Sequence, residues 1–574
     1  MVIFDEDKQN KKFQQLREQE EEELMQVLSQ KYTLPYVDLS ATPINPDALI
    51  LVPEALAREG MLAAFGITGK VVSVAVHAPE NTATKSALAE LENRGYKTTL
   101  FLTSTKSLEF IWDRYKDLSY SAGSKKGMLD VGSEDMTELV SKVRHLEDIK
   151  KLFEEALGMQ KTHRISRIIE VLLSSALATK ASDIHIEPEE TSVRIRMRLD
   201  GVLADVANID AETYHLVLSR FKLLSALKLN VQSEAQDGRF SINFKDVSIE
   251  IRTSILPGQY GESIVMRILN PDSISVSIEK LGMRDDLFAV VNQAIAKPNG
   301  LILTTGPTGS GKTTTLYAFL KKVHTPDIKI ITIEDPIEYH LKGVVQTQVD
   351  SNHDYTFQSG LRAALRQDPD IIMVGEIRDN ETAEIAIHAA LTGHLVFSTL
   401  HTNSAAGAFT RLIDVGINPR ILGSALSLAL AQRLVRKLCE TCKQEVPLEG
   451  DEKEKIERVL GTVVDTTKIA GLQRERVWHA SEKGCEACNG LGYKGRMGLY
   501  EGIVVNSAIE EIVESSPSER EIRKVADAQG LLTMTQDAVI KVLEGKTTTD
   551  EIMRVVDLSV ETTTPETPTP LPEI

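Results

Sequence analysis

The run Gly306-Pro307-Thr308-Gly309-Ser310-Gly311-Lys312-Thr313 has the form GxxxxGK[ST]. Glycines at this spacing let the backbone curl so that its N–H groups converge on phosphate oxygens. The apolar stretch LILTT precedes the run and the helical stretch TTTLYAFLKKV follows it. The start of that helix adds a field that favours an anion. Lys312 is placed to reach the β- and γ-phosphates, Thr313 to offer its hydroxyl to Mg2+, and Thr314 to follow them at the nucleotide. The expectation is an ATP site.

Hydrolysis needs an oriented water and stabilised charge on the γ-phosphoryl group. Two acidic clusters fall at predicted strand ends: Glu334, Asp335 and Glu338 in IEDPIEY, and Glu376 in IIMVGEIRD. In a typical Walker B strand an Asp precedes the Glu, whereas Gly375 stands there in this chain. Help to Mg2+ is therefore expected from Glu334 or Asp335 through water, and polarisation of the attacking water from Glu376.

Four cysteines form two CxxC pairs, Cys439 with Cys442 and Cys485 with Cys488. Four thiolates are the ligand count of a closed tetrahedral zinc site, so a structural zinc is expected. A redox CxxC is the rival reading. Arg194, Arg196 and Arg198 alternate and so share one face of a strand. That face could be solvated, line an anionic ligand or meet an acidic patch on a neighbouring subunit.

The elements that must carry these groups divide the chain. Residues 1–30 are mostly charged residues and Gln, and read as an exposed helical arm. Residues 31–118 read as a small α/β docking domain. In it VVSVAVHA and YKTTLFLTS are strands, and a helix in TKSLEFIWDRYKD is capped by Thr105 or Ser107. Residues 119–145 are a linker. Residues 146–280 alternate like sheet strands around a helix in ETYHLVLSRFKLLSALKL. From 281 to 558, short apolar strands alternate with helices, which predicts a largely parallel sheet with ligands at the carboxyl ends of its strands. After Gly423 the expectation is mainly helix, with the cysteine loops inserted. Residues 559–574 are rich in Pro, Thr and Glu and read as a disordered tail.

The chain has 574 residues and a net charge of −18. At roughly 100–200 residues per domain, that length suggests three or four domains. The acidity argues against indiscriminate binding to nucleic acid or an anionic membrane. The N-terminus lacks the apolar core of a signal peptide. The uncharged run from Ile385 to Thr410 holds three His and several Ser and Thr, so it reads as buried core rather than a membrane span. The expected location is the cytosol.

Taken together, these blocks resemble the ATPases of the type II/type IV secretion family, and within it the type IV pilus assembly branch. TIEDPIEY at 332–339 resembles the aspartate box of that family, Asp368 through Asp379 its Walker B, and Gly393 through Asn403 its histidine box. The resemblance implies a homohexamer, with a PAS-like domain ahead of a RecA-like P-loop domain and nucleotide between the two. It implies that Arg239, Arg252 and Arg267 close on the phosphates. It assigns water activation to Glu338 and Glu376, and phosphate sensing or interdomain coupling to His394 and His401. Without the resemblance, two imidazoles in an apolar run read equally as satisfied core residues.

The tetracysteine element resembles that of assembly and secretion motors, which retraction motors typically lack. The implied partner is a platform protein of the inner membrane, with peripheral association through it. The rivals are a type II secretion ATPase, a DNA-uptake pilus motor, a weakly hydrolysing nucleotide-gated scaffold and a nucleic-acid helicase. The lack of an aromatic stacking series speaks against the last. LSQKYTLPYVDLS resembles the end of a module that binds a cyclic dinucleotide, but the Arg/Leu/Gly repeats expected upstream are missing from residues 2–30. Cyclic di-GMP is therefore not expected as a ligand.

Overall fold

A computed structural model of the chain describes residues 20–40, 42, 44–115, 128, 129, 133–244, 247–270, 276–350 and 353–559. Most of the expected arm, part of the linker and nearly all of the tail lie outside the described residues. The chain forms two compact units, Met1–Asn270 and Pro271–Ile574. The division falls before the expected 280/281. Ile278 and Leu281 are buried in the core of the second unit, so that unit begins earlier than the strand pattern suggests.

The first unit opens with a helix over residues 20–32. It is not a free arm, because Glu22 accepts from the Tyr36 and Ser104 hydroxyls and Glu21 accepts from the Thr105 N–H. A three-stranded sheet follows: β1 (Leu62–Thr68), β2 (Val71–Val76) and β3 (Lys97–Leu102), with β1/β2 antiparallel and β2/β3 parallel. Ser104, rather than Thr105 or Ser107, caps the Thr105–Asp113 helix by accepting from the Ser107 N–H. The cap must precede the first helical residue to reach its third N–H, and Ser104 alone sits there.

The second sheet of this unit has seven strands: β4 (Met128–Leu129), β5 (Asp183–Pro188), β6 (Val193–Leu199), β7 (Val202–Ile209), β8 (Gln236–Phe244), β9 (Val247–Gly258) and β10 (Gly261–Leu269). Their order is β4-β8-β9-β10-β5-β6-β7, antiparallel except for β4/β8. One residue in two is apolar and buried along β6, β9 and β10, so one face is core and the other is free to carry charge. The Ser133–Lys142 helix lies inside the stretch expected to be linker.

The second unit has a seven-stranded sheet of different character. Its strands are β11 (Gly300–Thr305), β12 (Ile330–Glu334), β13 (Val345–Gln348), β14 (Ile371–Val374), β15 (Leu395–Leu400) and β16 (Leu426–Leu438). A short antiparallel pair of β17 (Gln444–Pro447) and β18 (Arg476–His479), with a helix between them in the chain, precedes β19 (Tyr493–Val504), which closes the sheet. The order is β13-β12-β14-β15-β11-β16-β19, parallel throughout except for β16/β19. Strands β11, β12, β14 and β15 are buried along their whole length, as a parallel sheet covered on both faces requires.

The expectation of mainly helix after Gly423 is corrected by β16 and β19. LSLALAQRLVRKL is a thirteen-residue strand seated between β11 and β19. Its first half, Leu426–Ala431, is apolar apart from Ser427 and too short for a period to tell strand from buried helix. No helix among the described residues is long and apolar enough to cross a membrane.

Candidate functional site

Strand β11 ends at Thr305 inside the seven-stranded sheet of the second unit, with β15 on one side and β16 on the other. The loop Gly306–Gly311 leaves that end and enters the Lys312–Val323 helix. Gly306 and Gly311 have φ of 154° and 89°. A Cβ on Gly306 would stand 2.5 Å from the Gln432 carbonyl oxygen, and one on Gly311 would stand 2.8 Å from Gln432 Nε2. The loop is therefore pressed against β16, and only glycine allows that approach. Lys312 is buried and donates to the carbonyls of Gly306, at 2.8 Å, and Pro307, at 3.2 Å. Burial pushes its ammonium down, Arg433 adds to that and Glu376 opposes it. Thr313 and Thr314 follow on the first helical turn, half-exposed.

Glu376, just past β14, is brought to this end of the sheet. One of its carboxylate oxygens meets the Arg378 guanidinium, and the other lies 3.1 Å from His401 Nε2. Asp335 joins from the end of β12, with its carboxylate 3.6 Å from Arg378 Nη2. Thr402 N–H donates to Thr305 Oγ1 at 2.8 Å, which fastens the segment after β15 to the end of β11. A Cβ on Gly375 would sit 3.2 Å from the Ile333 carbonyl oxygen and 3.4 Å from the Phe357 ring. A side chain at that position would start out tight against β12 and the Phe357 ring.

Glu334 is placed differently from Asp335. It is buried and accepts from Thr332 Oγ1 at 2.5 Å, from Gln346 Nε2 at 3.1 Å and from the Tyr317 hydroxyl. Burial pushes its carboxyl up, and the charge of half-buried Glu338 adds to this while the three hydrogen bonds oppose it. Glu334 thus spends its oxygens inside the protein. His394 is not brought to the site. It precedes β15, and its carbonyl accepts from the N–H of Gly300, where β11 begins. The six residues of β15 separate it from His401, roughly 20 Å at about 3.3 Å per residue. Its Nδ1 lies 3.0 Å from the Ala389 carbonyl.

Gln432 and Arg433 were not singled out by sequence reasoning. Their signal is a Gln-Arg pair directly after the apolar residues Leu428–Ala431, and it becomes legible only once that stretch is known to be a buried strand.

On the sheet of the first unit, Arg239 pairs opposite Arg252 and Arg252 opposite Arg267. Arg267 then pairs opposite Asp183, and Asp183 opposite Arg198. Directly opposed residues share a face, so four arginines and one aspartate form a row across five strands. Asp183 divides its oxygens between Arg267 and Arg198, each at 3.1 Å. Like charges directly opposite one another are destabilising, and Arg252 also meets the Glu250 carboxylate at 3.4 Å. Arg194 and Arg196, by contrast, are neutralised locally by Asp205, at 2.7 Å, and Glu187, at 2.5 Å.

The four cysteines meet. Their sulfurs all lie within 4.8 Å of one another, with Cys439–Cys485 at 3.7 Å and both Cys442–Cys488 and Cys485–Cys488 at 3.8 Å. Sulfurs 2.3 Å from a tetrahedral centre are about 3.8 Å apart, so the set fits such an ion. Burial raises the Cys488 thiol, but the N–H groups of Cys485 and Gly492 outweigh it and bring it to about 7.

Residues 159–554 match a family described as Type II/IV secretion system protein, and residues 32–119 match the MshEN domain. The Type II secretion system protein E of Aeromonas hydrophila is 42% identical over 436 residues, covering 76% of this chain and 83% of that protein. The type IV pilus assembly ATPase PilB of Thermus thermophilus is 36% identical over 541 residues, covering 93% of this chain and 57% of that protein. The solved structure of MshE with cyclic di-GMP is 30% identical over 16% of this chain and 66% of that one, with a TM-score of 0.15.

The MshEN match corrects the expectation that cyclic di-GMP is not a ligand. The expectation rests on residues 2–30, whereas the matched domain spans residues 32–119, so repeats missing upstream do not bear on it. The chain belongs to the type II/IV secretion ATPases, and it is an ATP-hydrolysing enzyme that uses ATP and Mg2+.

Proposed function

We propose that the chain is the motor of a type II secretion system, working as a homohexamer that converts ATP hydrolysis into movement of a membrane platform protein. The observation that carries the reading is the Glu376–His401 pair at the end of the phosphate-loop sheet, in a chain 42% identical to a type II secretion protein E. The type IV pilus assembly motor, expected from the sequence, becomes the second reading. It is favoured by the 36% identity to PilB across 93% of the chain.

In either machine Lys312 and the loop N–H groups hold the phosphates, and Thr313 and Asp335 would hold Mg2+, which would offset charge on the phosphoryl oxygens. Glu376 polarises the attacking water, helped by Glu338, and His401 holds the Glu376 carboxylate. Arg239, Arg252 and Arg267 offer positive charge to an anion on the face of their own sheet. His394, at the far end of β15, serves coupling rather than chemistry. Zinc in the four-cysteine cluster stabilises the extension that follows β16. Residues 32–119 bind cyclic di-GMP and regulate the motor, which associates with the membrane through its partners.

Deletion of the gene, complemented with wild type and with Lys312→Ala, tests the reading when secreted protein and surface pili are scored together. Lost secretion with intact pili supports it, and the reverse supports the pilus motor. A titration of the full chain with cyclic di-GMP tests the regulatory part, with saturable micromolar binding expected.

A further inference from the structure

We infer that Gln432 and Arg433 are positioning residues of ATP hydrolysis, which hold the phosphate loop in shape and tie it to the segment carrying His401. The inference rests on ATP hydrolysis by this family and not on which machine the motor drives.

Successive residues of a strand point to opposite faces, and β16 uses both. Gln432, 1% exposed, donates through Nε2 to the Ser310 carbonyl at 2.7 Å and accepts through Oε1 from the Thr315 hydroxyl at 2.8 Å. One amide therefore joins the end of the phosphate loop to the first turn of its helix. Arg433, 8% exposed, donates through Nη1 to the Gln432 carbonyl and through Nη2 to both the carbonyl and the side-chain oxygen of Asn403, each at 3.0 Å. Asn403 stands two residues after His401, whose ring holds the Glu376 carboxylate. The guanidinium thus bridges the strand that supports the loop and the segment that holds the water-polarising glutamate.

Charge gives a second argument. These acceptors of Arg433 are neutral oxygens, and burial lowers its pKa, with Glu501 opposing. The carboxylate of Glu501 is itself engaged by the N–H groups of Ala405, at 2.7 Å, and Met534, at 3.1 Å. A guanidinium buried on neutral acceptors is costly in the absence of an anion. Its field reaches Lys312, whose ammonium it disfavours. Arrival of a polyanionic nucleotide relieves both cations together, so binding and loop shape are coupled through Arg433.

The test compares Arg433→Met, Arg433→Lys, Gln432→Leu and Asn403→Ala with wild type as assembled full chains. The readouts are kcat, KM for ATP, and melting temperature with and without ADP. For Arg433→Met, kcat/KM falls by about tenfold or more and the ADP-induced rise in melting temperature shrinks, while the nucleotide-free melting temperature holds. Arg433→Lys recovers KM through its charge but not kcat, because an ammonium cannot span both acceptors. Gln432→Leu raises KM. Asn403 is exposed, so Asn403→Ala folds regardless, and it lowers kcat with KM unchanged.

Asn403→Ala keeps the backbone acceptor, so wild-type kcat in it together with wild-type kcat in Arg433→Met overturns the link to the His401 segment. Values of kcat and KM within about twofold of wild type in Arg433→Met and Gln432→Leu overturn the positioning role. An Arg433→Met protein that melts early without nucleotide, beside an unaffected Asn403→Ala, assigns the arginine to packing and also overturns it. Wild-type turnover, measured alongside, reports separately on the ATPase reading.

Discussion

Three arginines on the antiparallel sheet and two cations around the phosphate loop are held in opposite ways. On the antiparallel sheet, Arg194, Arg196 and Arg198 stand part-exposed and meet carboxylates of neighbouring strands: Asp205, Glu187 and Asp183. On the parallel sheet, Lys312 and Arg433 are buried and donate to neutral oxygens of the phosphate loop, of β16 and of Asn403. A cation paired on a surface contributes little to binding anything else. One buried on neutral groups raises the free energy of the empty site and is relieved when an anion arrives. The row Arg239, Arg252 and Arg267 lies between these cases, because its arginines face one another with Asp183 at the end.

Substitutions that exchange one behaviour for the other test this contrast. Lys312→Ala should abolish turnover, by about a thousandfold, and remove nucleotide-induced stabilisation, while the nucleotide-free fold keeps its melting temperature; phosphate release and thermal melting measure the two parts. Glu376→Gln keeps the shape but loses the charge beside His401, so kcat should fall by about a hundredfold with ADP affinity retained in calorimetry. Removing metal with a chelator, or making Cys442→Ser, should lower the stability of the second unit by about 3 kcal/mol in denaturant melts. ADP affinity should change far less, and atomic absorption should find zinc in the native chain. The smallest effect belongs to Arg196→Ala. Its ion pair with Glu187 is about a quarter exposed on each side, so the loss should be under about 1 kcal/mol and should vanish in high salt. A large loss there, or a destabilised Lys312→Ala, would break the comparison.

Legibility followed the same division. In a parallel sheet the working residues sit at strand ends, on turns whose backbone needs particular residues, and so they appear as contiguous motifs such as GPTGSGKT and GEIRD. In an antiparallel sheet they sit across strands, and the row joining Arg239 to Arg198 spans residues far apart in the chain. Alternation exposed Arg194, Arg196 and Arg198 as one face, but it could not say that aspartate and glutamate on neighbouring strands would neutralise that face. The apolar start of β16, Leu426–Ala431, is too short to carry a period that marks it as strand. Gln432 and Arg433, which follow it, went unread with it. His394 and His401 looked alike in the sequence, and the length of β15 sends them to opposite ends of the sheet.

From the sequence alone came the phosphate loop, the acidic clusters, the two CxxC pairs and the alternation of short strands with helices, because each depends on residue type at close spacing. The tertiary structure decided which of those groups meet. It aligned Arg239, Arg252 and Arg267, brought four sulfurs within 4.8 Å, turned Glu334 inward and pressed β16 onto the loop. Strand register and burial set those distances, and both arise from pairings between segments that no local spacing encodes.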